Sequence, residues 1–311
     1  MIIDFHFHFP TQKITESEAV SRAQSQIPVW YRSARIKIEK SLGEMAKDRV
    51  NISDDPDGAK LLKRMEEAGI DLTVLLALDI DYRGVNDSAI MAANKFCADL
   101  AKKSPKKFIA FASIHPNRKN APERFRECIK EYGMKGLKWH PALGAFDPTS
   151  PEAYKVLQVA QELKVPLLTH TGSMYGTAYG KFSQPILLDQ LAIDFPELKI
   201  IGAHMGHIAW HEWCEVAYFK GNFYGDLSEW QIFAVGQYEW FCRTLREMID
   251  LVGVDRMFFA TDGPYMELIV SNAKWVKIIK DLPRNAPQGI RFTEEEVSAI
   301  LGGNAKKLLG I

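Results

Sequence analysis

The feature that most constrains the fold is an alternation of short apolar runs with helical segments along the whole sequence. Most of the runs are continuously apolar, which is typical of parallel strands covered on both faces. The eight runs occupy residues 2–8, 71–78, 107–114, 134–140, 165–170, 198–204, 222–228 and 256–262. Eight strand–helix units predict an α/β fold, the (β/α)8 or TIM barrel. An open doubly wound sheet is the alternative, and the lack of a glycine-rich phosphate loop after the first run favours the barrel.

The segments between the runs carry the apolar spacing of helices and several signals for helix ends. They occupy residues 57–69, 87–103, 121–133, 150–164, 183–196 and 293–310. Asp87 is expected to cap the second segment, and Ser150 followed by Pro151 begins the fourth. Thr293 and Glu296 have the spacing of a capping box. The sequence therefore predicts the first residues of three helices.

A length of 311 residues suits a single barrel domain, and we expect one domain over 1–311. Residues 10–56 interrupt the pattern as a long insertion after the first strand, with a charged helical stretch near 32–48. An insertion at this point lies on the face that holds the carboxyl end of the strand. A lid and a subunit contact are both open as its role.

The composition excludes several classes of partner. Thirty-nine basic and 39 acidic residues give a net charge of zero, so no nucleic acid or anionic membrane is expected as a partner. No apolar run is long enough to span a bilayer, and no secretory signal precedes the first strand. The four scattered cysteines are expected to be reduced, buried thiols. These features favour a cytoplasmic protein.

Polar side chains collect at the ends of the predicted strands, where the chemistry of barrel enzymes is found. Seven of the eight histidines, all but His211, lie at or just after a strand end. The residues at or just after these ends are His6, His8, His115, Lys138, His140, His170, His204, His207, Asp226, Ser228 and Asp262. In MIIDFHFHFP, strand alternation places Asp4, His6 and His8 on one face and three phenylalanines on the other.

Imidazole nitrogen and carboxylate oxygen together suit a divalent transition cation. We expect such a cation, with zinc first and manganese, iron or cobalt as alternatives, and no organic cofactor. A bound cation lowers the pKa of water from about 16 to about 7. A second group must then move a proton, and histidine suits that task because its pKa lies near neutral pH.

Four stretches together resemble the amidohydrolase superfamily: HFH, PLLTHTG with His170, IIGAHMG with His204 and FFATDGPY with Asp262. They are most similar to the amidohydrolase-2 branch, which includes aminocarboxymuconate-semialdehyde decarboxylase, resorcylate-type decarboxylases and lactone hydrolases. GLKWHP and FASIHP resemble a subset described as predicted TIM-barrel metal-dependent hydrolases. The resemblance runs along the whole chain and is weakest over 10–56.

The resemblance implies roles for five residues. His6, His8, His170 and Asp262 bind the metal, and Asp262 also contacts the metal-bound water. His204 polarises the substrate or transfers a proton, so His204 and Asp262 are the expected catalytic pair. Relatives with two metals bridge them with a carboxylated lysine at the end of the fourth strand. The resembled branch is usually mononuclear, which implies one metal, and Lys138 keeps the two-metal alternative open.

Four further residues are candidates for substrate contact, each with a structural alternative: His115, Lys138, His140 and His207. His115 precedes Pro116 and could only shape the turn, while His140 could only support the loop that begins at Pro141. His207 could be a packing residue. Asp4 is expected to hold a histidine ring in place.

The ligand set does not determine the reaction. Hydrolysis of an ester, lactone or amide is favoured because the most similar subset is described as hydrolases. Non-oxidative decarboxylation of an aromatic or muconate-type acid is the alternative. It calls for a cation that holds a carboxylate, and the arginines near the strand ends and in the insertion are Arg32, Arg35, Arg83 and Arg118. A barrel that binds metal without turnover is the second alternative. The expected partner is a small-molecule substrate, with a homodimer as the candidate assembly.

Overall fold

The computed structural model describes residues 1–9, 27–37, 41–172, 174 and 178–311. These residues form two compact units. The first unit contains the described residues within 1–7, 26–73 and 226–311, and the second those within 8–25 and 74–225. Each unit is described below by itself. The single domain expected over 1–311 stays a prediction.

All eight predicted strands are present among the described residues, and each lies inside its predicted run. They are β1 (Ile3–His8), β2 (Leu72–Leu76), β3 (Phe108–Phe111), β4 (Leu137–Trp139), β5 (Leu167–His170), β6 (Ile200–Ala203), β7 (Phe223–Asp226) and β8 (Met257–Phe258). The strands are shorter than the runs. β1, β5 and β7 end at His8, His170 and Asp226, and β4 and β6 end one residue before His140 and His204. β3 and β8 end four residues before His115 and Asp262.

Helices separate the strands, as the sequence predicts. The α-helices among the described residues are α1 (Ile27–Ser33), α2 (Leu42–Ser53), α3 (Ala59–Ala68), α4 (Asp87–Lys103), α5 (Ala121–Lys130), α6 (Pro141–Gly144), α7 (Pro151–Glu162), α8 (Leu187–Asp194), α9 (Trp210–Phe219), α10 (Gln231–Gly236), α11 (Tyr238–Val252), α12 (Asn272–Lys280), α13 (Leu282–Asn285), α14 (Glu294–Ser298) and α15 (Asn304–Leu309). A π-helical turn at Ala299–Gly303 joins the last two. Short 3-10 turns occupy Gly180–Phe182, His204–Ala209, Val254–Arg256 and Met266–Leu268.

The helix starts test the predicted caps. Ser150 accepts a hydrogen bond from the amide of Ala153, and Thr293 and Glu296 form the complete capping box, so both predictions are confirmed. The cap of α4 differs. Asn86 accepts the bond from the amide of Ala89, and Asp87 is the first helical residue. The side chain of Asp87 instead accepts hydrogen bonds from Arg118 and Arg124, and Asn86 is the capping residue.

The second unit holds parallel strands that follow one another in chain order. Leu137 pairs with Leu167, which pairs with Ile200, which in turn pairs with Phe223. Because the strands are parallel and in register, their carboxyl ends lie along one edge. His140 and His170 leave the sheet at that edge.

In the first unit, β1 lies beside the segment that follows β8. The amide of Phe5 donates to the carbonyl of Phe259 at 3.0 Å, and the amide of Asp262 donates to the carbonyl of His6 at 2.8 Å. A parallel bridge between Phe7 and Gly263 continues the pairing. This register places Asp262 at the level of the polar residues of β1.

Two separate helices, α1 and α2, occupy the described part of the insertion, where the sequence suggested one charged stretch. The hydroxyl of Tyr31 donates to the carbonyl of Leu268 at 3.1 Å, which ties α1 to the loop after β8. Residues 10–26 and 38–40 lie outside the described residues. Whether the insertion is a lid or a subunit contact stays open.

Among the described residues, no helix has the length and apolar character needed to cross a membrane. All four cysteines are buried, as predicted. The expected cytoplasmic location, the small-molecule partner, the homodimer and the exclusion of nucleic acid stay predictions.

Candidate functional site

The first unit holds His6 between two carboxylates. Nδ1 of His6 lies 3.0 Å from Oδ2 of Asp226, and neither side chain has any exposed surface. The other oxygen of Asp226 accepts hydrogen bonds from the amide of Ser228, at 3.0 Å, and from its hydroxyl. Nε2 of His6 lies 3.3 Å from Oδ1 of Asp262. Asp226 is thus fixed by its own loop and aimed at the imidazole.

This arrangement determines the tautomer of His6. Carboxylates face both nitrogens, and the contact at Nδ1 is the shorter, 3.0 Å against 3.3 Å at Nε2, so Nδ1 is the nitrogen that carries the proton in the neutral ring. Nε2 then presents a lone pair on the side of Asp262. A carboxylate behind a ligating histidine is the usual way to orient the ring and to raise its basicity. His6 and Asp262 therefore form a pair of donors suited to a divalent cation.

Asp262 itself is held in a left-handed conformation, with φ of 51°. The residue before it is fixed by Asp4, which accepts from the amide of Thr261 at 2.9 Å and from its hydroxyl at 2.6 Å. Asp4 also accepts from the amide of His6, at 3.2 Å. The expectation that Asp4 holds a histidine ring was wrong, because its oxygens bind Thr261 and main chain. Burial raises the pKa of Asp4 to about 7.

Glu229 is a further buried carboxylate of the first unit that the sequence patterns did not identify. One of its oxygens lies within 4.8 Å of an oxygen of Asp262. Its backbone is left-handed, with φ of 65°. That conformation cannot be read from a strand pattern, so no sequence signal pointed to Glu229. Asp226, in contrast, was visible at a strand end but had no assigned role.

In the second unit, His170 ends β5 and contacts His204. Nε2 of His170 lies 3.1 Å from the carbonyl oxygen of Gly172, and Nδ1 lies 3.0 Å from Nε2 of His204. Burial, and after it the charge of Lys138, lowers the pKa of His170 well below its usual value. His170 is therefore neutral, with its proton on Nε2 and a lone pair on Nδ1. His204 must then donate from its own Nε2.

The ring of His140 stacks on the ring of His170, with centroids 4.1 Å apart and an angle of 11° between the planes. Its Nδ1 accepts a 3.4 Å bond from the amide of Leu143, so it also supports the loop at Pro141. Burial lowers the pKa of His140, with further contributions from His170 and Lys138. Lys138 has no exposed surface. This part of the unit is a buried cluster of imidazoles beside the amino group of Lys138.

His204 opens an unusual turn at the end of β6. Four consecutive residues have positive φ: His204 at 63°, Met205 at 44°, Gly206 at 72° and His207 at 53°. The left-handed conformation costs a residue other than glycine about 1–3 kcal/mol, so the surroundings must hold this turn. His207 is buried, and burial lowers its pKa to about 4. Backbone strain of this kind is concentrated at functional sites.

His115 and Arg118 lie in the second unit, where their polar atoms are engaged. Nε2 of His115 lies 2.9 Å from the carbonyl of Gly144, and its Nδ1 accepts from the amide of Asn117 at 3.1 Å. Arg118 binds both oxygens of Asp79, at 2.6 and 2.8 Å. Substrate contact by His115 stays a prediction, and Arg118 serves a buried ion pair rather than an anion from solution.

The donors present fit a divalent cation. His6 and Asp262 belong to the first unit, while His8 and His170 belong to the second, and all four are buried. Imidazole and carboxylate are the ligand types that such a cation takes. The ligand set as a whole stays a prediction, as do the catalytic pair and the four substrate contacts.

Comparisons with known proteins identify relatives of the whole chain. The family model described as amidohydrolase matches residues 3–311. Gamma-resorcylate decarboxylase of Polaromonas sp. (strain JS666 / ATCC BAA-500) is 26% identical in an alignment 269 positions long that covers 69% of this chain and 78% of the relative. The resemblance found in the strand-end motifs is confirmed.

Solved structures show the fold. A TIM-barrel protein of Bordetella bronchiseptica matches with a TM-score of 0.71 and 20% identity, covering 99% of this chain and 98% of that one. The 5-carboxyvanillate decarboxylase of Novosphingobium aromaticivorans DSM 12444, complexed with manganese and 4-hydroxy-3-methoxy-5-nitrobenzoic acid, matches with a TM-score of 0.73 and 16% identity, covering 100% and 96%. The chain has the (β/α)8 barrel fold, as predicted.

The same relatives correct the preferred reaction. Both relatives above that carry an activity in their names are decarboxylases. The preference for hydrolysis of an ester, lactone or amide was therefore wrong, because it rested on a resemblance to predicted hydrolases whose ligand set serves either reaction. Zinc as the first choice of metal gains no support, since the structure above contains manganese.

Proposed function

Because the chain belongs to the amidohydrolase family of enzymes, we propose that it is a metal-dependent, non-oxidative decarboxylase of a hydroxybenzoic acid. The observation that carries the proposal is the similarity to gamma-resorcylate decarboxylase over 69% of this chain. The buried histidines and carboxylates at the strand ends support it, because the reaction needs a positive centre and a proton donor away from water.

We assign His6, His8, His170 and Asp262 as the ligands of one divalent cation, with manganese as the first candidate. When bound, the cation would supply the positive charge that holds the anionic oxygens of the substrate. Asp226 keeps the proton on Nδ1 of His6 and so keeps Nε2 available as a donor. The carbonyl of Gly172 does the same for His170, whose available donor is Nδ1.

His204 is the residue that we assign to proton transfer. Its Nε2 proton points at Nδ1 of His170, 3.0 Å away. When Nδ1 of His170 is a metal ligand, it can no longer accept this hydrogen bond. The Nε2 proton of His204 is then available for transfer to the substrate. Asp262 is the second candidate, since its carboxylate lies beside Nε2 of His6.

The proposed reaction balances without a redox cofactor. A proton adds to the ring carbon that bears the carboxylate, the bond from that carbon to the carboxyl carbon breaks, and CO2 leaves. The electron pair of the broken bond returns to the ring. We assign the charge of Lys138, buried beside His140 and His170, to holding the substrate carboxylate before this step.

The experiment that tests the proposal is a substrate panel with the metal controlled. The protein is stripped with a chelator, reloaded with manganese, and offered hydroxybenzoic acids, muconate-type acids and lactones. The proposal predicts CO2 release from at least one hydroxybenzoic acid, lost after chelation and restored by manganese. Lactone opening without CO2 release, or no turnover by the reloaded protein, would contradict it.

A further inference from the structure

We propose that Thr171 is a positioning residue that sets the imidazole of His204 for proton transfer. The inference rests on the proposed function, in which His204 handles the proton. Thr171 follows β5 directly and is buried, with 1% of its surface exposed. Its side chain acts on His204 through the main chain on either side of that residue.

The hydroxyl of Thr171 bonds to the residue before the strained turn and to the third of its four residues. It donates to the carbonyl of Ala203, the residue before His204, and accepts from the amide of Gly206, at 3.0 Å. One side chain therefore fixes the main chain directly before His204 and two residues after it. A hydroxyl is required because only a group that both donates and accepts can make this pair of bonds.

The turn needs such a restraint because its conformation is unfavourable by itself. His204, Met205 and His207 all have positive φ without being glycine. Ala203 and Gly206 are buried, so a carbonyl and an amide that lost the hydroxyl would have no water to replace it. Without the hydroxyl, the turn would lower its conformational energy by shifting towards ordinary φ values. That shift would move the ring of His204.

The position of Thr171 in the chain links this restraint to the chemistry. Thr171 follows His170 in the chain, and Nδ1 of His170 lies 3.0 Å from Nε2 of His204. Two consecutive residues therefore act on His204. Thr171 fixes its backbone, and His170 provides the Nδ1 atom that accepts its Nε2 proton. The backbone approach is close here as well, because a Cβ on Gly172 would lie 2.8 Å from the carbonyl oxygen of Gly206.

Two substitutions at Thr171 separate the hydroxyl from the methyl group. Thr171→Val keeps the shape and removes the hydroxyl, whereas Thr171→Ser keeps the hydroxyl and removes the methyl. The matched control is Thr169→Val, two residues earlier on β5, because Oγ1 of Thr169 is buried and has no hydrogen-bond partner among the described residues. If the Val variant does not fold, Thr171→Ala removes the hydroxyl without adding an atom and takes its place.

We expect Thr171→Val to lower kcat for CO2 release about 10- to 100-fold, with KM within about twofold of the original value. Thr171→Ser and Thr169→Val should stay near the original kcat. Equal losses in the Val and Ser variants, or an unchanged kcat in the Val variant, would overturn the proposal.

A second readout does not depend on turnover. In chelator-treated protein labelled with 15N-histidine, the proton shared by His204 and His170 should give a hydrogen-bonded NMR signal, assigned by its loss in His204→Gln. Thr171→Val should lose or shift that signal and Thr171→Ser should keep it. If no substrate is decarboxylated, the proposed function fails, but an unchanged signal in the Val variant would still overturn the role of Thr171.

Discussion

Nδ1 of His6 lies 3.0 Å from Oδ2 of Asp226, and both side chains are completely buried. A carboxylate in this place decides which nitrogen of the imidazole keeps a lone pair. Asp226, for which the sequence analysis gave no role, therefore orients His6, the first of the expected metal ligands. Asp226 is not itself a proposed ligand, so substituting it tests the metal site without removing a ligand.

Asp226→Asn should weaken manganese binding about 10- to 100-fold, because a neutral amide does not raise the basicity of the imidazole as the carboxylate does. The affinity is measured by titration of the chelator-treated protein with manganese. Asp255→Asn is the matched control, since the Asp255 side chain is 68% exposed. Equal affinities in Asp226→Asn and the original protein would show that His6 does not bind the metal through Nε2.

Arg118→Met should destabilise the fold by about 3–5 kcal/mol, because it leaves the buried carboxylate of Asp79 without its partner. Urea denaturation measures the change. Arg126→Met is the control: it breaks the exposed pair with Glu162 and should alter stability little. A higher KM with unchanged stability would instead make Arg118 the anchor for the substrate carboxylate.

Gly225→Ala should destabilise the fold by about 1–3 kcal/mol through overpacking. Its new Cβ would lie 2.5 Å from Cγ of Met205 and 2.6 Å from Nε1 of Trp213. Gly221→Ala, earlier in the same segment, is the matched control because a Cβ there meets nothing within 4 Å. Equal stabilities of the two variants would mean that the turn at Met205 is loosely held, against the restraint inferred for His204.

Glu267 predicts a pH dependence of stability. Burial raises the pKa of Glu267 from 4.5 to about 7, against the attraction of Arg64, whose Nε lies 3.3 Å from Oε2. Between these two pH values the folded state binds more protons than the unfolded state. The free energy of unfolding should therefore fall as pH rises from about 4.5 to about 7, by up to about 3 kcal/mol from this group.

Glu267→Gln cannot ionise and should remove this contribution. The stability of the original protein relative to the variant should decline across that pH range, as measured by urea denaturation at each pH. Asp4, whose pKa burial also raises to about 7, is present in both proteins, so its contribution largely cancels. Parallel stability curves would mean that Glu267 ionises in the folded protein much as it does in the unfolded chain.

The strands and their polar ends could be predicted from the sequence because both depend on patterns of residue type. A buried parallel strand needs a continuous apolar run, and the polar residue that ends it stands out. β5 ends at His170, and His204 directly follows β6, as the runs predict. The same logic found the capping box at Thr293.

The parts that could not be predicted depend on backbone conformation. Glu229 comes near Asp262 through a left-handed residue, and the turn at His204 has four positive φ values in succession. Neither conformation has a fixed residue signature. Thr171 was hidden for another reason: a threonine after a strand is common, and its two hydrogen bonds join segments that are far apart in the chain.

The central claim is that this chain removes CO2 from a hydroxybenzoic acid and replaces it with a proton. The most direct test uses 2,6-dihydroxybenzoate and related acids labelled with 13C in the carboxyl group, incubated with manganese-loaded protein in D2O. We expect 13CO2 together with a product that carries one deuterium at the vacated ring carbon for each CO2 released. Acids recovered with the label intact, under conditions where the protein is folded and holds manganese, would contradict the claim.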